Sequence, residues 1–282
     1  MHGVAGPRAG RLSLNWLTLP GATALEQIAA TAAAGFSDVG LKFARRPGDT
    51  EPAVAEKPWL FRDIAKSLRD HRIGLLNMGG IWLDGRPPLE WCKGALEAGS
   101  SLGARFVVAI VFDPMRRRVV DHFASLCEEC SKLGMSVAIE FFAYSAVRTI
   151  EEAHQIVTAS KQANAGILVD ALHLYRSGGS AASLAQIPRE EILFAQICDA
   201  PTRSPPLVRL SHEGRHDRLD VGAGGLPLLA FAQSLPAQIP IEVEAPCKQY
   251  ANLAHHERAA LAGNAARMFL QSIASPKVES TP

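Results

Sequence analysis

The chain has 282 residues, is 48% hydrophobic and 20% charged, and carries a formal net charge of +1. That balance argues against a basic nucleic-acid surface and against a polybasic membrane contact, and no uninterrupted apolar run is long enough to span a bilayer. The five cysteines are sparse and odd in number, which suits a reducing cytoplasm better than a disulfide framework.

The opening, MHGVAGPRAGR, lacks the apolar core of a signal peptide, and residues 1–10 are expected to form a disordered leader. From residue 11 onward, short apolar runs alternate with longer amphipathic ones. The predicted strands are RLSLNWL (11–17), SDVGLKF (37–43), IGLLNMGG (73–80), ARFVVAIVF (104–112), MSVAIEFF (135–142), GILVDA (166–171), ILFAQICDA (192–200) and IPIEVEA (239–245). Helical patterns lie between them. TALEQIAATAAAG starts on Thr23 and stops on Gly35, matching helix start and stop signals. EKPWLFRDIAKSLRDHR, LEWCKGALEAGSSLG, VVDHFASLCEECSKLG, TIEEAHQIVTASKQ and the final HHERAALAGNAARMFLQSIA read the same way. Within the fourth helix, Cys127 and Cys130 form a CxxC, but no second CxxC completes a four-thiolate zinc site. They read as partly buried helix cysteines.

Eight strand–helix units of this spacing predict a single closed (β/α)8 TIM barrel over residues 11–274, with a flexible tail at 275–282. An open doubly wound sheet is the rival, but no phosphate-binding GxGxxG follows the first strand, and no GxxxxGK[ST] occurs.

Barrels of this kind gather catalytic groups at the C-terminal ends of their strands. Four late strands end in polar residues: Glu140, Asp170 with His173 just beyond, Gln196 with Asp199 just beyond, and Glu242 with Glu244. Each could simply cap a helix or form an ion pair. Together they suggest converging carboxylates, whose mutual repulsion a divalent cation would relieve. Glu242 and Glu244 are two apart, so they share one strand face. If that face is the lumen, both enter the pocket. Oxygen donors without thiolates favour Mn²⁺ or Mg²⁺, with Co²⁺ and Zn²⁺ also compatible. Lys42 with Arg45 and Arg46, His216 in the stretch after the seventh strand, and Asn15 and Asn77 at early strand ends are further candidates for the barrel mouth. For the Lys42 group the plainer reading is solvated charge. His255 and His256 lack HExxH spacing and read as surface residues.

The motifs VAIEFF, LVDALHLYRSGG, FAQICDAP, RHDRLDVGAGGLP and PIEVEAP together resemble the xylose-isomerase-like TIM barrels, the sugar phosphate isomerase/epimerase superfamily. The resemblance implies one divalent metal held by Glu140, Asp170, Gln196 and Glu244. It also implies Arg218 as a substrate contact; by their positions in the chain, His216, Lys42 and Glu242 are further substrate-binding candidates. Gln196, where many members carry histidine, looks most like the 3-dehydroshikimate dehydratase branch. Two departures stand beside it. EFFAYSAVR lacks the basic residue that dehydratases often carry after the strand-five glutamate, and Ala146 stands where ketose 3-epimerases place a second glutamate.

The implied activity is a metal-dependent isomerase or epimerase on a keto-sugar or cyclic polyol ketone, through an enolate. His173 would serve as acid or base, with Glu140 or Glu244 assisting. A dehydratase and a non-catalytic sugar-binding barrel are the alternatives. The histidine-rich, three-metal endonuclease relatives fit poorly with Gln196 and a charge of +1. The expected partners are a small molecule, no nucleic acid and no membrane, with a homodimer as one expectation because barrel helices often pair.

Overall fold

In the computed structural model, residues 11–45, 54 and 58–274 are described. The expected leader at 1–10 and the tail at 275–282 lie outside them, as does Arg46. Eight strands form one closed parallel barrel in chain order. They are β1 (Leu12–Asn15), β2 (Asp38–Lys42), β3 (Gly74–Leu83), β4 (Phe106–Val111), β5 (Ser136–Glu140), β6 (Ala165–Asp170), β7 (Ile192–Ile197) and β8 (Ile241–Val243). The barrel closes where Ser13 of β1 pairs with Glu242 of β8. The helices are α1 (Ala24–Ala33), α2 (Phe61–His71), α3 (Leu89–Ser101), α4 (Arg116–Lys132), α5 (Ile150–Ser160), α6 (Ala171–Arg176), α7 (Ala181–Leu184), α8 (Leu207–His216), α9 (Leu228–Ser234) and α10 (His255–Ala274).

The single-barrel expectation therefore holds. A strand such as FVVAIV in β4 is buried almost throughout, because lumen side chains cover one face and helices the other. α1 begins in a capping box, with Thr23 accepting from the Glu26 amide while Glu26 accepts from Thr23. Cys127 and Cys130 lie buried in α4, and every cysteine among the described residues is free. Burial pushes the Cys127 thiol up to about 12, so the CxxC is core packing and not a reactive pair. Among the described residues, no helix is long and apolar enough to cross a membrane.

Two elements differ from expectation. β3 continues to Leu83, three residues past its predicted end. Gly79 and Gly80 read as a stop, but here they mark a register shift between Met78 and Ile81. Gly80 takes φ +79°, a conformation that few other residues tolerate within a strand. A side chain at Gly79 would lie 2.9 Å from Trp16 Nε1. The extension carries Trp82 up to the barrel mouth. The second difference is α8, in the stretch after the seventh strand, where the sequence shows no helical pattern. Pro206 precedes its first turn, and Leu210, Glu213 and Gly214 form a narrow buried stripe. The charged residues around that stripe hid the helical period.

Candidate metal centre and active site

A cavity open to solvent lies at the C-terminal ends of the strands, where barrels of this kind place their small-molecule sites. Its two walls differ. β5 to β8 and the segment after β7 supply Glu140, His173, Gln196, Arg218 and Glu244. The facing wall is largely apolar, with Trp16, Trp82, Val108, Ile110, Phe112 and Phe142, joined by Asn15, Lys42 and Asn77.

The polar residues are fixed from below by the strands that carry them. Asp170 ends β6 and caps α6, its Oδ1 accepting from the His173 amide at 3.1 Å. The cap and the polar cluster are thus the same residue, so the two readings of this strand end are not exclusive. One turn of α6 sets His173 above the carboxylates. Donor atoms of Glu140, Asp170 and His173 lie within 4.8 Å of one another, the one such group of three among the described residues. His173, expected to stand outside the ligand set, therefore belongs to the cluster by position.

Arg218 organises the remainder. It is 2% exposed. Nη1 donates to Asp170 Oδ2 at 2.5 Å, Nη2 pairs with Glu244 Oε2 at 2.6 Å, and Nε donates to the Gly214 carbonyl at 2.7 Å. The expected substrate contact is thus a buried clamp across two of the expected ligands. Burial pushes the Asp170 carboxyl up, but the charge and hydrogen bonds of Arg218 and the His173 amide outweigh it and hold Asp170 below its ordinary value. Glu244 is pushed up to about 8 by burial, against the pull of Arg218. Burial and the charges of Glu244 and Asp170 raise Glu140 well above the carboxylate range, outweighing the pull of Arg218.

His173 sits between aromatic rings, 5.0 Å from Phe142 and 5.9 Å from Tyr144. Burial lowers it to about 4, so the imidazole is neutral at pH 7. Its Nε2 lies 3.4 Å from Arg218 Nη2, which can only donate, and 3.8 Å from Glu140 Oε1. A lone pair facing a guanidinium assigns Nε2 as the basic nitrogen.

Two of the substrate-binding candidates, Glu242 and His216, do not line the cavity, and Lys42 does. Glu242 does share the lumen face with Glu244, but it lies beneath the cavity, is fully buried and does not line it. Four neutral donors surround it: Ser13 Oγ at 3.0 Å, Asn15 Nδ2 at 2.9 Å, Asn77 Nδ2 at 2.8 Å and Gln196 Nε2 at 2.8 Å. His216 is exposed at the end of α8, its ring 5.0 Å from that of His212. The helix turns it outward and brings Arg215 to the cavity in its place. Lys42, read as solvated charge, is buried in the cavity wall with Nζ 5.2 Å from the Trp16 ring centroid. Asn15 and Asn77 do line the cavity. The aromatic wall was missed because strand-end aromatics look like ordinary core in sequence.

Gly40 of β2 leaves room for the buried carboxylate. A Cβ there would press on Glu242 Oε1 and lie 2.9 Å from Asn77 Nδ2. Gly40→Ala is therefore expected to cost about 1–3 kcal/mol, as overpacking of a filled core does, read as a lowered urea midpoint.

The residues fit a divalent cation. Asp170 and Glu244 share one buried guanidinium, and the Glu140 carboxyl lies beside them, a gathering of acidic groups whose charge a low-dielectric interior penalises. Gln196 lines the cavity, and its Oε1 is buried without a hydrogen-bond partner. Oxygen donors with one nearby imidazole suit a hard or borderline cation.

A closed parallel barrel with a carboxylate cluster at its C-terminal mouth defines a class of small-molecule site. The xylose isomerase-like TIM barrel family model matches residues 28–272, and the chain belongs to that family. It is 29% identical over 153 residues to inosose isomerase of Bacillus subtilis (strain 168), covering 51% of this chain and 53% of that one. It is 32% identical over 114 residues to 3-dehydroshikimate dehydratase of Pseudomonas aeruginosa, covering 40% of this chain and 18% of that one. The chain thus spans about half the length of the first of these relatives and far less of the second. Among solved structures, IOLI protein with a binding zinc atom superposes with a TM-score of 0.80 at 21% identity, over 94% of this chain and 100% of that chain. That likeness is one of fold.

Proposed function

We propose that the chain is a divalent-metal-dependent isomerase or epimerase that moves a proton at the carbon beside a ketone of a keto-sugar or cyclic polyol ketone. The observation that carries this reading is the buried cluster of Glu140, Asp170 and Glu244 beneath a neutral His173. Glu140, Asp170, Gln196 and Glu244 would hold the cation, with His173 near enough to join them. Once bound, the cation would supply Lewis-acid polarisation of a carbonyl and stabilise the negative oxygen that forms as the proton leaves.

The chain's own residues do the rest. His173 Nε2 takes the proton, since the imidazole is neutral at pH 7 and lies on the cavity wall. Arg218 holds Asp170 and Glu244 in place. The wall of Trp82, Phe112 and Phe142 keeps water from the ring face of a substrate. Return of the proton to the other face gives an epimer, and to the neighbouring carbon an isomer. The likeness to inosose isomerase supports this reading.

A second reading is a lyase that expels a β-hydroxyl after the same proton abstraction. Gln196 as a neutral carbonyl donor and the likeness to 3-dehydroshikimate dehydratase favour it. Both are tested by incubating Mn²⁺-loaded protein in D₂O with inososes, ketohexoses and 3-dehydroshikimate. Deuterium at the carbon beside the ketone, with or without loss of water, is the expected result. No incorporation into any keto-polyol would overturn the enzyme reading in favour of a binding barrel.

A further inference from the structure

The donors around Glu242 share one feature. Three of the four are carboxamides, those of Asn15, Asn77 and Gln196. A carboxamide fits its site in two nearly isosteric orientations, one presenting NH₂ and the other the carbonyl. Both oxygens of Glu242 accept, Oε1 from Ser13 and Asn77 and Oε2 from Asn15 and Gln196, so each amide facing Glu242 presents its NH₂. The flipped orientation would set oxygen against oxygen in a fully buried place. For Gln196 the constraint is doubled: Nε2 lies 2.8 Å from Glu242 Oε2 and 3.4 Å from Glu244 Oε1.

The consequence appears on the other side of each amide. Asn15 Oδ1 accepts from the Leu17 amide at 2.9 Å. Gln196 Oε1 and Asn77 Oδ1 are buried and have no hydrogen-bond partner, and both residues line the cavity while Glu242 does not. A carbonyl oxygen buried without a partner costs free energy unless something that is bound pairs with it.

We propose that Glu242 is a positioning residue that locks the Gln196 amide with its carbonyl oxygen turned to the cation site, and so sets the affinity of that site without touching the metal. Histidine ligands reach the same end by donating their second ring nitrogen to a carboxylate. Here the glutamine amide takes that part, and the carboxylate that steers it comes from the neighbouring strand, in register with it. The inference rests on the metal-centre reading given above.

The test is Mn²⁺ binding to chelator-stripped protein, followed by calorimetry and by the loss of the free-Mn²⁺ EPR signal. Wild type, Glu242→Gln and the double variant Glu242→Gln with Gln196→Glu are compared, with thermal melts on each. In Glu242→Gln the new amide can offer its own NH₂ to Gln196, which frees the Gln196 amide to turn. Mn²⁺ affinity is expected to fall about 10–100-fold, the usual effect of losing a partner that orients a ligand. The double variant keeps the charge of the site and reverses the polarity of the bond, since the amide introduced at position 242 donates to the carboxylate introduced at position 196. Its affinity is expected to return to within a few-fold of wild type. A purely structural role predicts lower melting temperatures without that recovery. Unchanged affinity in Glu242→Gln overturns the inference and leaves the metal centre standing. So does a folded double variant that fails to recover, even where the single variant does not fold. A wild type that binds no Mn²⁺ overturns the metal centre, and the inference with it.

Discussion

Arg218→Met is expected to lower the stability of the metal-free chain by about 3–5 kcal/mol, the range for removing one partner of a buried ion pair. The side chain is almost completely enclosed and engages Asp170 and Glu244 at once. Methionine fills much of the volume, so the loss reports charge more than packing. Both carboxylates would remain buried in a cluster that already contains Glu140 and Glu242, with the guanidinium gone. In a chain of this size the change corresponds to a melting temperature lower by on the order of 10 °C. Added Mn²⁺ is expected to return part of that loss, because a cation at the cluster takes over the neutralising role and binding to the folded state alone raises stability by mass action. Differential scanning fluorimetry with and without Mn²⁺ measures both effects. A variant that melts with the wild type would show that the clamp contributes little. Loss of stability with no return on adding metal would count against a cation at this place.

The second large effect falls on turnover. His173→Ala is expected to reduce kcat by about 10²–10⁴-fold, the usual contribution of a positioned acid or base. The neighbouring charges are not disturbed: Arg218 keeps its bonds to Asp170 and Glu244, and the Asp170 cap on α6 uses the residue-173 backbone amide, which alanine retains. Metal content is the control. Near-normal Mn²⁺ with lost deuterium exchange assigns His173 to proton transfer. Lost Mn²⁺ assigns it to the ligand set that its donor distance also allows. Activity within a few-fold of wild type would remove it from the chemistry and leave Glu140, which burial and its carboxylate neighbours raise, as the group to test next.

Much of the site was legible in the chain because its residues stand at strand ends. Glu140, Asp170, Gln196 and Glu244 each close or follow an apolar run, and in a parallel barrel that position alone delivers a side chain to the mouth. The roles were less legible. Glu242 and Glu244 lie on one strand face and look equivalent in sequence, yet one lines the cavity and the other lies beneath it, enclosed by amides. Arg218, which the family resemblance implies as a substrate contact, does line the cavity. What the sequence does not disclose is that its own partners are Asp170 and Glu244. The aromatic wall was invisible for a simpler reason, since Trp82 reaches the mouth only because β3 runs on through a glycine bulge.

The features readable along the chain are local: eight apolar strands of the right length, the helices between them, the capping of α1, and oxygen-bearing residues at the strand ends. Alternation, capping and breaker residues act over a few positions, so they can be read without knowing what lies across the molecule. Which of those oxygens are free is settled only when the barrel closes. Ser13 and Glu242 are 229 positions apart, Asn77 and Glu242 are 165 apart, and Asp170 and Arg218 are 48 apart. The first two bonds exist because the barrel closes β8 onto β1, and the third because the segment after β7 folds back over β6. A buried polar atom must find its partner among whatever that closure brings near, and Gln196 Oε1, on a residue that lines the cavity, is left without one.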